Sequence, residues 1–338
     1  MELTAAALQP IGRYQINTNS NLELITSAAH VGFSFEGTEA TVVAGAGWED
    51  GHSYLQYELD GVFQKRVRIN GLTDTLAINA PTSGKHTVWL YKTTEAHSGP
   101  LVIQKVIAPK ATAVTRSSAP LIEFIGNSIT CGAAADPSEV PCGTGEYHDQ
   151  HNAYMAYGPR VARALNTNFV LSSVSGYGVY RNWNNNGPSL PDVYEKLDFQ
   201  PATTQRWDFR KFTPEIISIA LGTNDFSDGD GKSVRLPFDS ARFVSRYVEF
   251  VRNVKSKYPQ AQVALLSSPM LNGAKKQNLE NYLATVKAQI DLAFPSDKPV
   301  ALHFFKPMQA TGCTGHPSVS EHGIMANELM PFFKKLLE

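Results

Sequence analysis

Leu121-Ile-Glu-Phe-Ile-Gly-Asn-Ser-Ile-Thr130 decides the reading of this chain. It is an apolar run that stops abruptly at Gly126-Asn127-Ser128. A buried strand ending in a Gly-led turn lifts a serine hydroxyl to the rim of a sheet, a setting that suits a nucleophile. Such a serine needs a base, an oxyanion hole and a dry pocket. The bland use of the same serine is as the N-cap of a short helix.

Downstream of this stretch, strands alternate with helices. The pattern predicts strands at 121–125, 169–174, 216–221 and 263–266, and helices at 154–165, 242–258, 278–294 and 319–337. That alternation implies a mostly parallel sheet flanked by helices. Upstream, the pattern is all-β. Short strands are expected at 31–36, 40–44, 54–59, 63–69, 76–78 and 86–92, with Asp60-Gly61 as a hairpin turn. Short strands set apart by Gly, Asn and Pro turns indicate a β-sandwich or jelly roll. Thr115-Arg-Ser-Ser-Ala-Pro120 reads as the linker, so the expected division is a sandwich at 1–117 and an α/β domain at 118–338.

The 338 residues suffice for two domains, and 42% hydrophobic against 18% charged residues supports a sizeable core. The formal net charge of -1, with no basic stripe, gives nucleic acid or an anionic membrane no footing. Neutral polymers fit this balance better than phosphorylated ones. No apolar stretch reaches the roughly 18–20 residues of a membrane span. Met1-Glu-Leu-Thr-Ala-Ala-Ala lacks the charged and apolar regions of a signal peptide. Cys131, Cys142 and Cys313 are too few for a disulfide scaffold but allow one bridge. Cys131 with Cys142, or Cys131 with Cys313, are the pairings considered.

Three further blocks complete a candidate site. Ser175-Gly176-Tyr177-Gly178-Val179 follows a predicted strand, and Gly176 allows its N–H to face a cleft without a side chain in the way. In Gly222-Thr223-Asn224-Asp225, after another strand, Asn224 offers an amide N–H to a developing oxyanion, and Asp225 suits a turn cap. His316-Pro317-Ser318 offers a general base just before the last helix. Each block alone reads equally as an ordinary turn or surface loop. Their order is the informative part. Ser128, Gly176, Asn224 and His316, the first three each after a strand, resemble the SGNH (GDSL-like) hydrolases.

The chain as a whole resembles carbohydrate esterase family 2. The likeness rests on Gly12-Arg13-Tyr14, His86–Ala96, Gly126–Gly132, Asn152–Gly158, Ser175–Val179, Gly222–Phe226 and Gly312–Ser318. It implies an N-terminal jelly roll before an SGNH domain, and removal of O-acetyl groups from plant polysaccharides or sugars, often at the 6-position, with neither metal nor cofactor. It implies Ser128 as nucleophile, His316 as base, and Ser128, Gly176 and Asn224 as the oxyanion hole. Because such polymers lie outside the cell, a periplasmic or secreted location is expected.

Two departures stand out. Asn127 occupies a position where SGNH enzymes usually carry Asp. Cys313 stands three residues before His316, where the third triad member is expected. A Ser-His dyad with a backbone carbonyl orienting the imidazole is therefore expected. Tyr177, Phe226 and Trp183, together with Tyr180, are candidate sugar-stacking aromatics. His148 and His151 have metal-ligand spacing but make a poor two-ligand site. Asp228-Gly-Asp-Gly231 starts like a calcium loop, but Lys232 and Asp239 occupy ligand positions, so none is expected. The competing functions are an SGNH esterase for another acyl group and a carbohydrate-binding protein without catalysis.

Overall fold

The computed structural model describes residues 2–338. Up to Val114 every strand pairing is antiparallel. The strands are β1 (Glu2–Thr4), β2 (Tyr14–Ile16), β3 (Leu22–Leu24), β4 (His30–Glu36), β5 (Glu39–Gly45), β6 (His52–Leu59), β7 (Val62–Asn70), β8 (Asp74–Asn79), β9 (Lys85–Lys92), β10 (Leu101–Ile107) and β11 (Thr112–Val114). One sheet runs β2-β3-β10-β5-β8, with β1 also on β10; the other runs β11-β4-β9-β6-β7. Alternate side chains from both sheets, among them Leu22, Phe33, Phe35, Val42, Leu55, Leu90 and Ile103, form one buried core. Asp60 and Gly61 both have positive φ, 53° and 76°, as a two-residue type I′ turn requires. They set Leu59 opposite Val62, and with that the β6–β7 register.

After the linker the pairing becomes parallel. Strands β12 (Leu121–Gly126), β13 (Asn168–Ser173), β14 (Ile216–Ala220), β15 (Gln262–Leu266) and β16 (Ala301–His303) lie in the order β13-β12-β14-β15-β16. The helices are α1 (Ser128–Cys131), α2 (Tyr157–Ala164), α3 (Leu190–Val193), α4 (Ser240–Lys257), α5 (Gly273–Ala293) and α6 (Val319–Leu337). On one face Ile122, Phe124 and Leu171 pack with Tyr157, Val161, Met325, Leu329 and Phe333. On the other, Ile125, Ile219 and Leu265 pack with Phe243, Tyr247, Val251 and Leu283. The strand order reverses at β12, and in open sheets the ligand crevice lies at such a switch point, beyond the carboxyl ends of the strands. Gly126 is in register with Ser173 and Ala220, so β12, β13 and β14 end on one rim.

Two buried charges tie the antiparallel part to the parallel sheet. The Arg13 guanidinium donates to the carbonyls of Tyr194 at 2.6 Å and Lys196 at 2.5 Å, and lies 4.2 Å over the Phe199 ring. Glu95 is the second.

Candidate active site

Each rim residue is presented by the turn that ends its strand. Beyond β12, Asn127 caps α1: its Oδ1 accepts the Ile129 N–H at 3.1 Å. The capping role falls to Asn127, and Ser128 is the first residue of the helix, nearly buried and lining the cleft. Beyond β13, Gly176 has φ 77°, a conformation that side chains disfavour, and its carbonyl accepts from Trp183 N at 2.8 Å. Beyond β14, one Asn224 amide N–H donates to the Tyr177 carbonyl at 2.8 Å, which orients the side chain.

Asp225 locks the last two turns together. Its carboxylate accepts the backbone N–H groups of Val179 at 2.9 Å and of Tyr180 and Arg181 at 3.1 Å. Burial nevertheless pushes its pKa up to about 6. The Arg235 guanidinium donates to the carbonyls of Asn182, Asn224 and Ser227, holding the Asn224 turn from behind.

His316 enters from the loop before α6. That loop is fastened by a disulfide between Cys142 and Cys313, and Cys131 is a buried free thiol. Both pairings considered from sequence are thereby corrected. Cys131 sits in α1 with its sulfur turned to Ser173 Oγ at 3.1 Å, away from either partner.

The ring's Nδ1 lies 3.0 Å from Thr314 Oγ1, whose single proton goes to the Cys313 carbonyl at 2.8 Å. The hydroxyl oxygen must then accept from Nδ1–H, so this contact fixes the tautomer and leaves the Nε2 lone pair available to act as a base. In place of the backbone carbonyl expected to face Nδ1 stands the Thr314 hydroxyl, and the Cys313 carbonyl accepts from that hydroxyl. Thr314 itself has φ 51°, a strained position for a β-branched residue. Thr314→Val keeps the shape and removes the hydroxyl; kcat for ester cleavage falls about tenfold at unchanged melting temperature. An unchanged kcat would take Thr314 out of this role.

Burial lowers the His316 pKa, helped by His151, against the opposing pull of the Cys313 carbonyl, Glu95 and the Thr314 carbonyl. The Ser128 hydroxyl and the His316 ring line the same cleft without a direct hydrogen bond among the described residues. Nucleophile–base contacts commonly tighten only around substrate.

The cleft has a volume of about 640 Å³ and brings Ser128, Gly176, Asn224 and His316 together. Tyr177, Trp183, Tyr147, Asn184 and Asn185 also line it. Trp183 and Tyr147 are 44% and 43% exposed, so their faces are open to a ligand. Phe226 departs from expectation. It points away from the cleft into an aromatic cluster, 4.4 Å from Phe238 and 5.7 Å from Phe243. Tyr180 is also buried, its hydroxyl accepting from Asp239 N.

His148 and His151 do not converge: His151 Nε2 faces Glu95, whereas His148 groups with His52 and Glu146, their ligand-type atoms within 4.8 Å of one another. His52 Nε2 is already bonded to Asp149, and His148 Nε2 lies 3.2 Å from the His52 carbonyl. Tyr147, Thr314 and Arg235 had no signal beyond proximity to a motif, because their roles depend on loop closure.

Two families match the chain: carbohydrate esterase 2 N-terminal over residues 10–117, and the GDSL-like lipase/acylhydrolase family over residues 124–297. Two proteins of Cellvibrio japonicus named acetylxylan esterase / glucomannan deacetylase are similar. One is 26% identical over 98% of this chain and 89% of its own length, the other 31% identical over 73% and 68%. The cellulase/esterase CelE of Acetivibrio thermocellus is 29% identical over 96% of this chain, which spans only 39% of CelE. Among solved structures, a family two carbohydrate esterase from Cellvibrio japonicus superposes with TM-score 0.85 at 25% identity, covering 100% of this chain and 98% of the other. Another from Clostridium thermocellum, in complex with cellohexaose, has TM-score 0.83 at 27% identity, covering 100% and 99%.

Proposed function

Because the chain belongs to family two of the carbohydrate esterases, within the GDSL-like acylhydrolases, we propose that it is a serine esterase removing O-acetyl groups from plant polysaccharides such as xylan or glucomannan. The observation that carries this reading is the convergence of Ser128, Gly176, Asn224 and His316 on one cleft, with the His316 tautomer fixed by Thr314.

The reaction follows from that geometry. Ser128 Oγ attacks the acetyl carbonyl as Nε2 of His316 takes its proton. The oxyanion is held by the Ser128 and Gly176 N–H groups and by the Asn224 N–H that Tyr177 does not use. The sugar hydroxyl leaves with the proton from His316, and water then hydrolyses the acetyl-enzyme. Ser128 and His316 act as a dyad, with Thr314 in the orienting position. Tyr177 and Trp183 contact the sugar.

The domain division at 117/118 is part of the proposal. Supporting it are the change from antiparallel to parallel pairing after Val114 and family matches ending at 117 and beginning at 124. The Cys142–Cys313 bridge favours an oxidising compartment, in keeping with a periplasmic or secreted enzyme. Among the described residues no helix is long and apolar enough to cross a membrane.

Two outcomes follow directly. Asn224→Ala lowers kcat by about 10²–10³; an unchanged kcat would remove it from the oxyanion hole. Since burial depresses the His316 pKa, the neutral base persists to lower pH. The acid limb of kcat/KM therefore inflects below 6.5, and an inflection above it would contradict the assignment.

The function itself is tested by acetate release from acetylated xylan and glucomannan without added metal, beside a 4-nitrophenyl acetate-to-butyrate series. Release from the glycan with a steep fall from acetyl to butyryl is expected. A preference for longer acyl groups favours an esterase of another specificity. Glycan binding without any release favours a binding protein.

A further inference from the structure

We infer that Glu95, on the antiparallel part of the chain, is a positioning residue of the ester-cleaving site: its buried carboxylate anchors the Ser175–Gly176 backbone and provides, beneath the His316 loop, the fixed negative charge that Cys313 does not. The inference rests on the esterase reading above.

The geometry begins three residues past β9. Glu95 is only 4% exposed, yet it lies among groups of the parallel-sheet part. Its Oε2 accepts the Ser175 N–H at 2.8 Å, one residue before Gly176. Its Oε1 lies 3.4 Å from His151 Nε2. His151 Nδ1 accepts the Ala134 N–H at 3.3 Å, which leaves Nε2–H to donate to Glu95. The backbone of Glu95 is held in turn by Lys92, whose buried ammonium donates to the Thr94 carbonyl at 2.9 Å and the Glu95 carbonyl at 2.7 Å. Above His151 lies the Tyr147 ring at 4.6 Å, which is also 6.3 Å from the His316 ring.

A carboxylate buried this deeply persists only where hydrogen bonds and charge compensate its lost hydration. Burial pushes the Glu95 pKa up, but the His151 hydrogen bond, the Ser175 N–H and His97 outweigh it and leave a value of about 2. Glu95 is thus anionic throughout any assay range. The titratable groups around it are Lys92, His97, Cys131, Tyr147, His151, Tyr177 and His316. Those around His316 are Glu95, Tyr147, His151 and His322. Glu95 is the anion that raises the His316 pKa against burial and His151. An acid carried by the antiparallel part thereby secures the oxyanion turn and favours the imidazolium that forms in the reaction.

Two variants of the full chain separate the anchoring from the charge. Glu95→Gln keeps an acceptor for Ser175 and removes the charge. It is expected to melt near wild type, to lose roughly tenfold in kcat on 4-nitrophenyl acetate at unchanged KM, and to shift the acid limb of kcat/KM to lower pH. Glu95→Asp keeps the buried charge, so it remains a test if the Gln variant does not fold. Its shorter side chain withdraws from Ser175: deuterium exchange of the Ser175 and Gly176 amides speeds up and kcat falls, while the acid limb stays near wild type. A folded Gln variant with wild-type kcat and pH profile, or an Asp variant with wild-type kcat and amide exchange, overturns the inference. A wild type inactive on every acetyl ester sinks the esterase reading instead, and the amide exchange still tests the anchor alone.

Discussion

Ser128→Ala lowers kcat on acetyl esters by on the order of 10⁴ or more and leaves the fold intact. The loss is large because, in the proposed reaction, the hydroxyl oxygen forms the acetyl-enzyme, and the proposed oxyanion donors that remain can only assist attack by water. The fold is spared because Asn127, not Ser128, caps α1, and the Ser128 hydroxyl has no hydrogen-bond partner among the described residues. Stability is expected to change by no more than about 0.5 kcal/mol. Thermal melting beside acetate release checks both halves. A mutant that melts like wild type and still releases acetate at more than about a hundredth of its rate contradicts the nucleophile assignment.

Asp225→Ala has the largest expected effect on stability. It strands the three N–H groups of Val179, Tyr180 and Arg181 and unties the Gly176 segment from the Asn224 turn. Three buried donors left without an acceptor cost at most roughly 3–9 kcal/mol at about 1–3 each, and because removing the buried carboxyl also removes its own desolvation cost, a net loss of roughly 3–5 kcal/mol is expected. That is a large part of a typical folding stability of about 5–15 kcal/mol.

Asp225→Asn adds a pH signature. The folded pKa, about 6, lies above the ordinary carboxyl value of 3.8, so the folded state binds this proton more tightly than the unfolded chain. The resulting stability is fully present below the unfolded value and is lost as pH rises through the folded one. The melting temperature of Asp225→Asn relative to wild type therefore rises between about pH 4 and pH 6. Chemical denaturation of the Ala variant and melts of the Asn variant across that interval test the two claims. Wild-type stability for Ala, or a pH-independent Asn difference, would contradict them.

The parts legible in the sequence are those written in local periodicity. The run at 121–125 is β12, and Asp60-Gly61 is a hairpin turn with both residues at positive φ. The C-terminal helix spans 319–337 as its spacing predicts. Strands β1, β2, β3, β11 and β16 escaped because three residues carry no alternation to read. Longer β10, at Leu101–Ile107, also went unassigned. Helix α5 starts at Gly273, five residues before the periodicity that predicts it at 278, since its first turn, Gly273 to Gln277, shows no apolar stripe.

At the site, the four motif residues are legible as candidates because Ser128, Gly176 and Asn224 each follow a strand and His316 sits in the short word Gly312–Ser318 before the last helix. Asp225, Arg235 and Glu95 make contacts closed only by the tertiary fold, and the short-range Thr314 contact to His316 depends on a loop conformation with positive φ that no sequence pattern marks. Glu95 and Ser175 are 80 positions apart, and Arg235 reaches back 53 positions to Asn182. Phe226 shows the converse error: it lies two residues past Asn224, yet the turn points it into the core.

The central claim is a covalent acetyl-enzyme on Ser128. The direct measurement is a rapid acid quench of the enzyme turning over 4-nitrophenyl acetate, followed by intact-mass and peptide analysis. One acetyl group per chain on the peptide containing Ser128, absent from Ser128→Ala and accumulating in Asn224→Ala only as fast as its own reduced acylation allows, is the predicted result. Acetylation on another residue with Ser128 unmodified, or full turnover by Ser128→Ala, would contradict it.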